Sequence, residues 1–211
     1  MPLVNGGTCV IASESDTTDG GRILELLKTR DINFMQVTPT TWRMLVDSGW
    51  KPGDTPNLKA ASAGEYMPIE LTRDVVARTQ GYWNTYGPTE TTIMCTGQHV
   101  QKAEMPISLG RVFDNTYGYL VDRRNQPVPV GIAGELLMGG ACVTLGYLNR
   151  PELTTEKYIK DPFHPERGRM YHTGDLIRRW PDGRMQFIRR IDNQVKVCLL
   201  YTSDAADDLF R

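Results

Sequence analysis

Asn84-Thr85-Tyr86-Gly87-Pro88-Thr89-Glu90 is the most informative segment of this chain for its fold. Its Gly-Pro pair predicts a sharp bend, because glycine tolerates a positive φ while proline fixes its own φ and lacks an N–H. The bend would present the Thr89 hydroxyl beside the Glu90 carboxylate. A hydroxyl can hydrogen-bond a phosphoryl oxygen, and a carboxylate can hold the Mg²⁺ that accompanies a nucleotide phosphate. Taken alone, Gly-Pro-Thr-Glu is equally compatible with an ordinary capped turn.

A second loop strengthens the nucleotide interpretation, and its residues are Tyr171-His172-Thr173-Gly174-Asp175. Asp175, expected on a glycine turn, is a short acceptor suited to the two hydroxyls of a ribose. Three such polar groups, at Thr89, Glu90 and Asp175, have no obvious packing purpose beside turn glycines. The two loops together therefore predict a nucleotide site.

The first half of the chain alternates predicted strands and helices. Apolar runs predict strands at 8–12, 34–37, 58–63 and 82–85. Helical periodicity predicts helices at 21–29, from Pro39 to about Gly49 with Thr38 as N-cap, and at 68–79. This alternation indicates a parallel, helix-covered sheet. Ligands of such sheets bind beyond the carboxyl ends of the strands, where segments 36–38, 63–65 and 85–90 are expected.

The pattern changes after about Gly110. Alternating runs at 117–122, 134–140 and 185–188, with a hairpin signal at 181–183, predict a small antiparallel β-unit packed by a helix at 151–160. We therefore predict an α/β fold with a partial parallel-sheet subdomain (1–110) and a small antiparallel, β-barrel-like subdomain (111–190).

Composition excludes several classes of function. Lys and Arg number 24 against 25 Asp and Glu, which argues against nucleic acid or a membrane surface as the main partner. The sequence has no apolar run of bilayer length and no signal peptide at its start. The cysteines lack C-x-x-C spacing and the three histidines form no ligand cluster, so no zinc site or disulfide framework is predicted. We expect a reducing, cytoplasmic location.

Four motifs in order resemble the adenylate-forming enzymes, and among them the amino-acid-activating adenylation domains of nonribosomal peptide synthetases. They are Asn84 to Ile93, Gly134-Glu135-Leu136 with Gly139-Gly140 and Gly146-Tyr147-Leu148, Tyr171 to Leu176, and Arg190 to Lys196. The resemblance implies that ATP and an amino acid form an aminoacyl-adenylate and pyrophosphate. It also implies Mg²⁺, and transfer of the product to the phosphopantetheine of a carrier domain beside condensation domains.

The resemblance assigns roles to matching residues. Thr89 would contact a phosphate, Glu90 would hold Mg²⁺, and Asp175 would bind the ribose hydroxyls. The nucleotide would also contact the backbone of Ala63-Gly64-Glu65, the amide of Asn84, the ring of Tyr86, and the side chains of Phe187 and Arg190. Three alternatives stay open: a solvated charge for Arg190, ordinary core for Phe187, and a turn cap for Asn84.

The family's amino-acid pocket maps onto Gln36, Ala61, Ala63, Thr85, Ile93 and Met94. Mostly small or apolar walls with one amide suggest a medium-sized substrate side chain with a polar tip.

Departures from the family pattern predict a segment truncated at both ends. The glycine-rich phosphate loop, the aspartate for the substrate ammonium and a C-terminal lysine have no counterpart, so we expect the segment to be inactive alone. Residues 191–197, with Asp192, would begin the hinge, and Arg189 stands where a glycine is usual. The run 198–211 resembles the translation of a sequencing adapter, and we expect it to be non-native.

Two rival functions remain at this point. An acyl- or aryl-CoA ligase of the same superfamily shares the chemistry but takes a different acid. A nucleotide-binding module without catalysis would bind AMP and exchange no pyrophosphate.

Overall fold

The computed structural model describes residues 2–104 and 106–192, and the backbone of 195–197 and 200–202. Its first sheet has five strands in the order β1 to β5. Strands β1 (Phe34–Val37), β2 (Lys59–Ser62) and β3 (Gly81–Tyr86) are parallel, which confirms the predicted α/β sheet. Strands β4 (Thr96–His99) and β5 (Arg111–Val112) extend it antiparallel, a feature that the sequence analysis missed.

Helices cover one face of this sheet. They are α2 (Gly20–Thr29), α3 (Pro39–Asp47) and α4 (Ile69–Arg78), and the short helix α1 (Glu14–Thr17) precedes them in the chain. The Thr38 side chain accepts a hydrogen bond from Thr41 N and caps α3 as predicted. A buried cluster that includes Trp42, Leu45 and Tyr82 packs α2, α3 and α4 against the sheet.

The predicted strand at 8–12 is wrong. No strand forms there, and the Ile11 side chain is 91% exposed. An apolar run becomes a strand only where a neighbour accepts its backbone hydrogen bonds, and no described residue pairs with this one. The polar segment that follows is the short helix α1, which Ser13 and Asp16 close in a capping box.

The second sheet is antiparallel, as predicted. Strands β6 (Thr116–Val121), β7 (Ala133–Gly140), β9 (Arg169–Arg179) and β10 (Met185–Arg190) form it in the order β10-β9-β7-β6, and β8 (Tyr158–Lys160) pairs with β9. The helix predicted at 151–160 ends earlier, as α5 (Pro151–Lys157), because the chain enters β8 directly.

The structure describes only part of the predicted hinge (191–197) and tail (198–211). Strands β11 (Val195–Val197) and β12 (Leu200–Thr202) form an antiparallel pair. Asn193 and Gln194 of the predicted hinge, and Cys198, Leu199 and residues 203–211 of the predicted tail, lie outside the described residues.

A shared core joins the two sheets. Met185 N–H donates to Gly110 O, and the Met185 carbonyl accepts from Leu109 N–H and the Ser108 hydroxyl. The cluster that we term the junction core contains Cys95, Leu120, Leu136, Met138, Cys142, Ile177 and Met185, with Tyr86, Leu109 and Phe187 among the residues packed against it. Since it draws on both sheets, it fixes one sheet against the other. In the described part of the chain, no helix has both the length and the hydropathy to cross a bilayer.

Candidate functional site

The candidate site begins at one edge of the first sheet. Because β1, β2 and β3 are parallel, their carboxyl ends meet there, at Val37, Ser62 and Tyr86. The structure thus places the segments at 36–38, 63–65 and 85–90 side by side, as the sequence predicted.

The turn after β3 depends on close backbone packing, which corrects the reason given for its glycine. Gly87 does not have a positive φ. A Cβ there would lie 2.6 Å from Ile93 O and 2.7 Å from Met94 Cα, so only glycine fits. The turn continues as a 3₁₀ helix over Thr89–Thr91, and Thr92 and Ile93 take the strained positive φ values of 56° and 71°.

Tyr86 and Asp175 join the two loops. The Tyr86 hydroxyl donates to Asp175 Oδ2, and the Asp175 side chain is only 7% exposed. Burial and then the Asp175 charge raise the pKa of Tyr86 well above its usual value, so Tyr86 stays the donor. Residues that are 89 positions apart in the chain thus share one hydrogen bond.

Arg190 completes this cluster. Its Nη1 donates to Asp175 Oδ1 at 3.0 Å and to Thr173 O at 3.2 Å. Its Nε and Nη2 each lie 2.6 Å from a carboxylate oxygen of Asp192. The alternative of a solvated surface charge is therefore wrong, because the side chain is 17% exposed and joins two carboxylates.

The loop that carries Asp175 is a bulge within strand β9, not a free turn. In the β7–β9 register, His172 pairs with Leu137 and Leu176 with Glu135, so three residues of β9 face Leu136 alone. Gly174 takes a φ of 69° inside this bulge. Such a bulge redirects a side chain within a ladder, here that of Asp175.

Glu135 of β7 holds the bulge from the other side. Its Oε1 accepts from Gly174 N–H at 3.0 Å, and its Oε2 lies 3.2 Å from His172 Nδ1. Burial raises the pKa of Glu135, but the hydrogen bonds from His172 and Gly174 outweigh it, and the net shift is downward.

Thr89 and Glu90 occupy the first turn after Pro88. The Thr89 side chain is exposed, and Glu90 is half-buried. Glu90 Oε1 accepts a 2.6 Å hydrogen bond from the Tyr147 hydroxyl, and the Glu90 carbonyl accepts from Thr144 N–H. The described residues contain no cluster of three or more acidic, histidine or cysteine side chains that could hold a metal. Glu90 would therefore supply a single oxygen ligand, which suits Mg²⁺ that is bound mainly by phosphates and water.

Asn84 and Glu65, whose amide and backbone are predicted to contact the nucleotide, use their side chains within the protein. Asn84 is buried, and its Nδ2 donates to Ser108 O at 2.8 Å. Glu65 Oε2 accepts from the Thr40 hydroxyl at 2.7 Å, at the start of α3. Glu65 Oε1 is buried and has no hydrogen-bond partner, which leaves an acceptor beside Gly64.

The predicted substrate pocket divides into two parts. The strand register pairs Gln36 with Ala61, and Ala61 with Trp83. Because side chains alternate along strands, Gln36, Ala61 and Thr85 share the face opposite helices α2 to α4, and Ala63 continues that row. Ile93 and Met94 lie instead on the loop after the 3₁₀ helix, and Ile93 is 65% exposed.

Phe187 packs against the junction core, the same cluster that Tyr86 contacts. Phe187 thus contributes to core packing, and its contact with a nucleotide stays a prediction. Arg189 sits at a register shift of β10 without a positive φ, so the position does not require the glycine usual in the family. The clefts found near Lys28 and near Trp180 coincide with none of the site residues above.

Sequence reasoning missed three contacting residues: Tyr147, Glu135 and His172. All three lie in motifs quoted above, so their position was available as a signal. Their contacts were not, because each partner lies 37 or more residues away in the chain.

The fold and the paired loops fit one class of protein, and the chain belongs to the AMP-binding enzyme family. The sequence model of that family, described as AMP-binding enzyme, matches residues 1–148.

Similar proteins show which group within this family the chain resembles. The chain is 36% identical over 198 residues to a dimodular nonribosomal peptide synthase of Bacillus subtilis (strain 168), covering 93% of this chain and 8% of that protein. It is 35% identical over 199 residues to tyrocidine synthase 3 of Brevibacillus parabrevis, covering 93% of this chain and 3% of the relative. The chain thus spans a small fraction of the length of the curated relatives that it matches. The resemblance to adenylation domains of nonribosomal peptide synthetases is confirmed.

Solved structures of peptide synthetases have the same fold as this chain. A four-domain nonribosomal peptide synthetase bound to AMP and glycine matches with a TM-score of 0.86 at 35% identity, over 95% of this chain and 15% of that one. A peptide synthetase protein containing adenylation and PCP domains, bound to a vinylsulfonamide inhibitor, matches with a TM-score of 0.84 at 28% identity, over 95% of this chain and 36% of that one. These matches confirm the predicted fold class.

Proposed function

We propose that this chain supplies the nucleotide site of an amino-acid-activating adenylation domain. In the proposed reaction, the carboxylate of an amino acid attacks the α-phosphorus of ATP, and pyrophosphate leaves. The phosphopantetheine thiol of a carrier domain then attacks the aminoacyl carbonyl, so that a thioester forms and AMP leaves. The observation that carries the proposal is the Tyr86–Asp175 hydrogen bond, which unites the two predicted nucleotide loops at the edge of the parallel strands.

Positioning and charge neutralisation are the chemical tasks of such a site. The exposed Thr89 hydroxyl is available to a phosphoryl oxygen, and the Glu90 carboxylate to Mg²⁺, which neutralises phosphate charge when bound. Arg190 holds Asp175 in place for the ribose hydroxyls. The free acceptor of Glu65 supports placement of the adenine amino group near Gly64.

An amino acid is the proposed acid because relatives are described as nonribosomal peptide synthases or synthetases, and one solved relative is described as bound to glycine. The side-chain pocket would use the sheet face with Gln36, Ala61, Ala63 and Thr85, together with the neighbouring Ile93 and Met94. Carrier and condensation domains are the proposed partners, since one relative is described as containing a PCP domain. Asp192, paired with Arg190, is the proposed start of a hinge.

The first test compares AMP with 2′,3′-dideoxy-AMP by calorimetric titration of the chain. We expect the wild-type chain to bind AMP more tightly, by roughly tenfold or more, because hydrogen bonds to charged groups contribute about 1.5–3 kcal/mol. Asp175→Asn should remove most of this preference. Asp114→Asn, which changes an exposed aspartate, should preserve it. Equal binding of both nucleotides by the wild-type chain would contradict the ribose role of Asp175.

A further inference from the structure

A loop at 141–148 packs directly on the turn that carries Glu90. Thr144 N–H donates to Glu90 O at 2.9 Å, and the Thr92 hydroxyl donates to Cys142 O at 2.7 Å. The Glu90 carbonyl and the Thr92 side chain are thus both tied to this loop.

The same loop also fixes the Glu90 side chain. The Tyr147 hydroxyl donates to Glu90 Oε1 at 2.6 Å, and the Tyr171 hydroxyl lies 3.5 Å from that of Tyr147.

Helix α5 determines where Tyr147 lies. Tyr147 N–H donates to Thr154 Oγ1 at 2.9 Å, and this hydroxyl donates to Arg150 O at 2.9 Å. The preceding Gly146 has a φ of 134°, and a Cβ there would lie 2.4 Å from Thr154 Cγ2. The contact between loop and helix is therefore possible only with glycine at this position.

From this geometry we infer that Tyr147 is a positioning residue for the divalent cation, acting through the Glu90 carboxylate. The hydrogen bond on Oε1 restricts rotation of the Glu90 carboxylate about its last torsion angle. Hydrogen bonds to metal-ligating carboxylates tune metal affinity in this way. The inference rests on the proposed function, because it needs Glu90 to be a cation ligand.

The experiment measures ATP binding by calorimetry at a series of Mg²⁺ concentrations. For Tyr147→Phe we expect the half-saturating Mg²⁺ concentration to rise by about 10- to 100-fold, the usual effect of losing such a partner. AMP binding without metal should not change, which a general loss of structure would not allow. Tyr158→Phe is the matched control, because its hydroxyl pairs with Thr144 and lies in the same tyrosine cluster.

A second variant covers the case in which Tyr147→Phe fails to fold. Thr154→Val removes the acceptor of Tyr147 N–H at nearly constant volume, and we expect a smaller rise in the same direction. An unchanged Mg²⁺ requirement in both variants, or an equal rise in Tyr158→Phe, overturns the inference alone. Absence of ATP binding by the wild-type chain overturns the proposed function and this inference with it.

Discussion

Gly87 and Gly174 belong to the two predicted nucleotide loops, yet each is glycine for a different physical reason. Gly87 allows the backbone at 93–95 to approach, whereas Gly174 has a φ of 69° within the β9 bulge. A Cβ at Gly174 would also lie 2.7 Å from Arg190 Nη2. The absence of a side chain at these two glycines therefore allows Tyr86, Asp175 and Arg190 to lie close together.

Gly87→Ala should destabilise the chain by about 1–3 kcal/mol, the usual cost of forcing a methyl group into packed structure. Urea unfolding followed by circular dichroism measures this. Gly21→Ala is the control, since that helical glycine has only the Asp19 carboxylate, at 3.2 Å, near its Cβ position. We expect this control to be neutral or slightly stabilising. Equal midpoints for the two variants would disprove the close-approach role of Gly87.

Strand β9 shows how one element serves both architecture and site. Its regular parts pair with β7 and β10, while the bulge at 173–175 turns Asp175 toward Tyr86. The Thr173 hydroxyl bridges the bulge by donating to Leu136 O and accepting from Asp175 N–H. Glu135 supports it through Gly174 N–H.

Glu135→Gln should show that the Glu135 carboxylate stabilises the bulge in a pH-dependent way. The folded-state pKa of Glu135 is lowered from 4.5, so its carboxylate adds stability above that value and loses it as the pH falls through the folded pKa. We expect the difference in Tm between wild-type and Glu135→Gln chains to shrink as the pH is lowered from 6 to about 3. Glu166→Gln, in an exposed pair with His164, should change Tm little at any pH. A pH-independent difference for Glu135→Gln would exclude the role of its charge.

At the scale of the whole molecule, the junction core couples the two sheets. Tyr86 and Cys95 flank the nucleotide turn, and they pack with Ile177 and Met185 of the second sheet. Unfolding of one sheet would therefore expose apolar surface of the other. We expect the described part of the chain to unfold cooperatively.

Ile177→Ala should lower the unfolding midpoint of both sheets together. Truncation of a fully buried isoleucine costs about 2–5 kcal/mol. In a Trp180→Phe background, fluorescence reports Trp42, Trp50 and Trp83 of the first part of the chain. A shift in the unfolding midpoint of this tryptophan signal by Ile177→Ala would show that the two sheets are coupled. Ile132→Ala, at a 55% exposed site, is the control and should change the midpoint little. An unshifted tryptophan signal with Ile177→Ala would show that the sheets unfold independently.

Elements with strong local signals could be predicted from the amino-acid sequence alone. Helical periodicity, the Thr38 cap and the apolar runs located α2 to α4 and β1 to β3, and the ordered motifs identified the family. Where a local signal lacked a spatial partner, as at 8–12, the prediction failed, because strand formation needs a neighbour.

The contacts between the site residues depend on the tertiary structure. It gave Gly87 its steric reason, made the Asp175 loop a bulge, placed Arg190 between two carboxylates, and brought Tyr147 to Glu90. Such contacts join residues far apart in the chain, and their distances depend on strand register and packing. Local sequence specifies which chemical groups are present, while the packing of the two sheets specifies which of them touch.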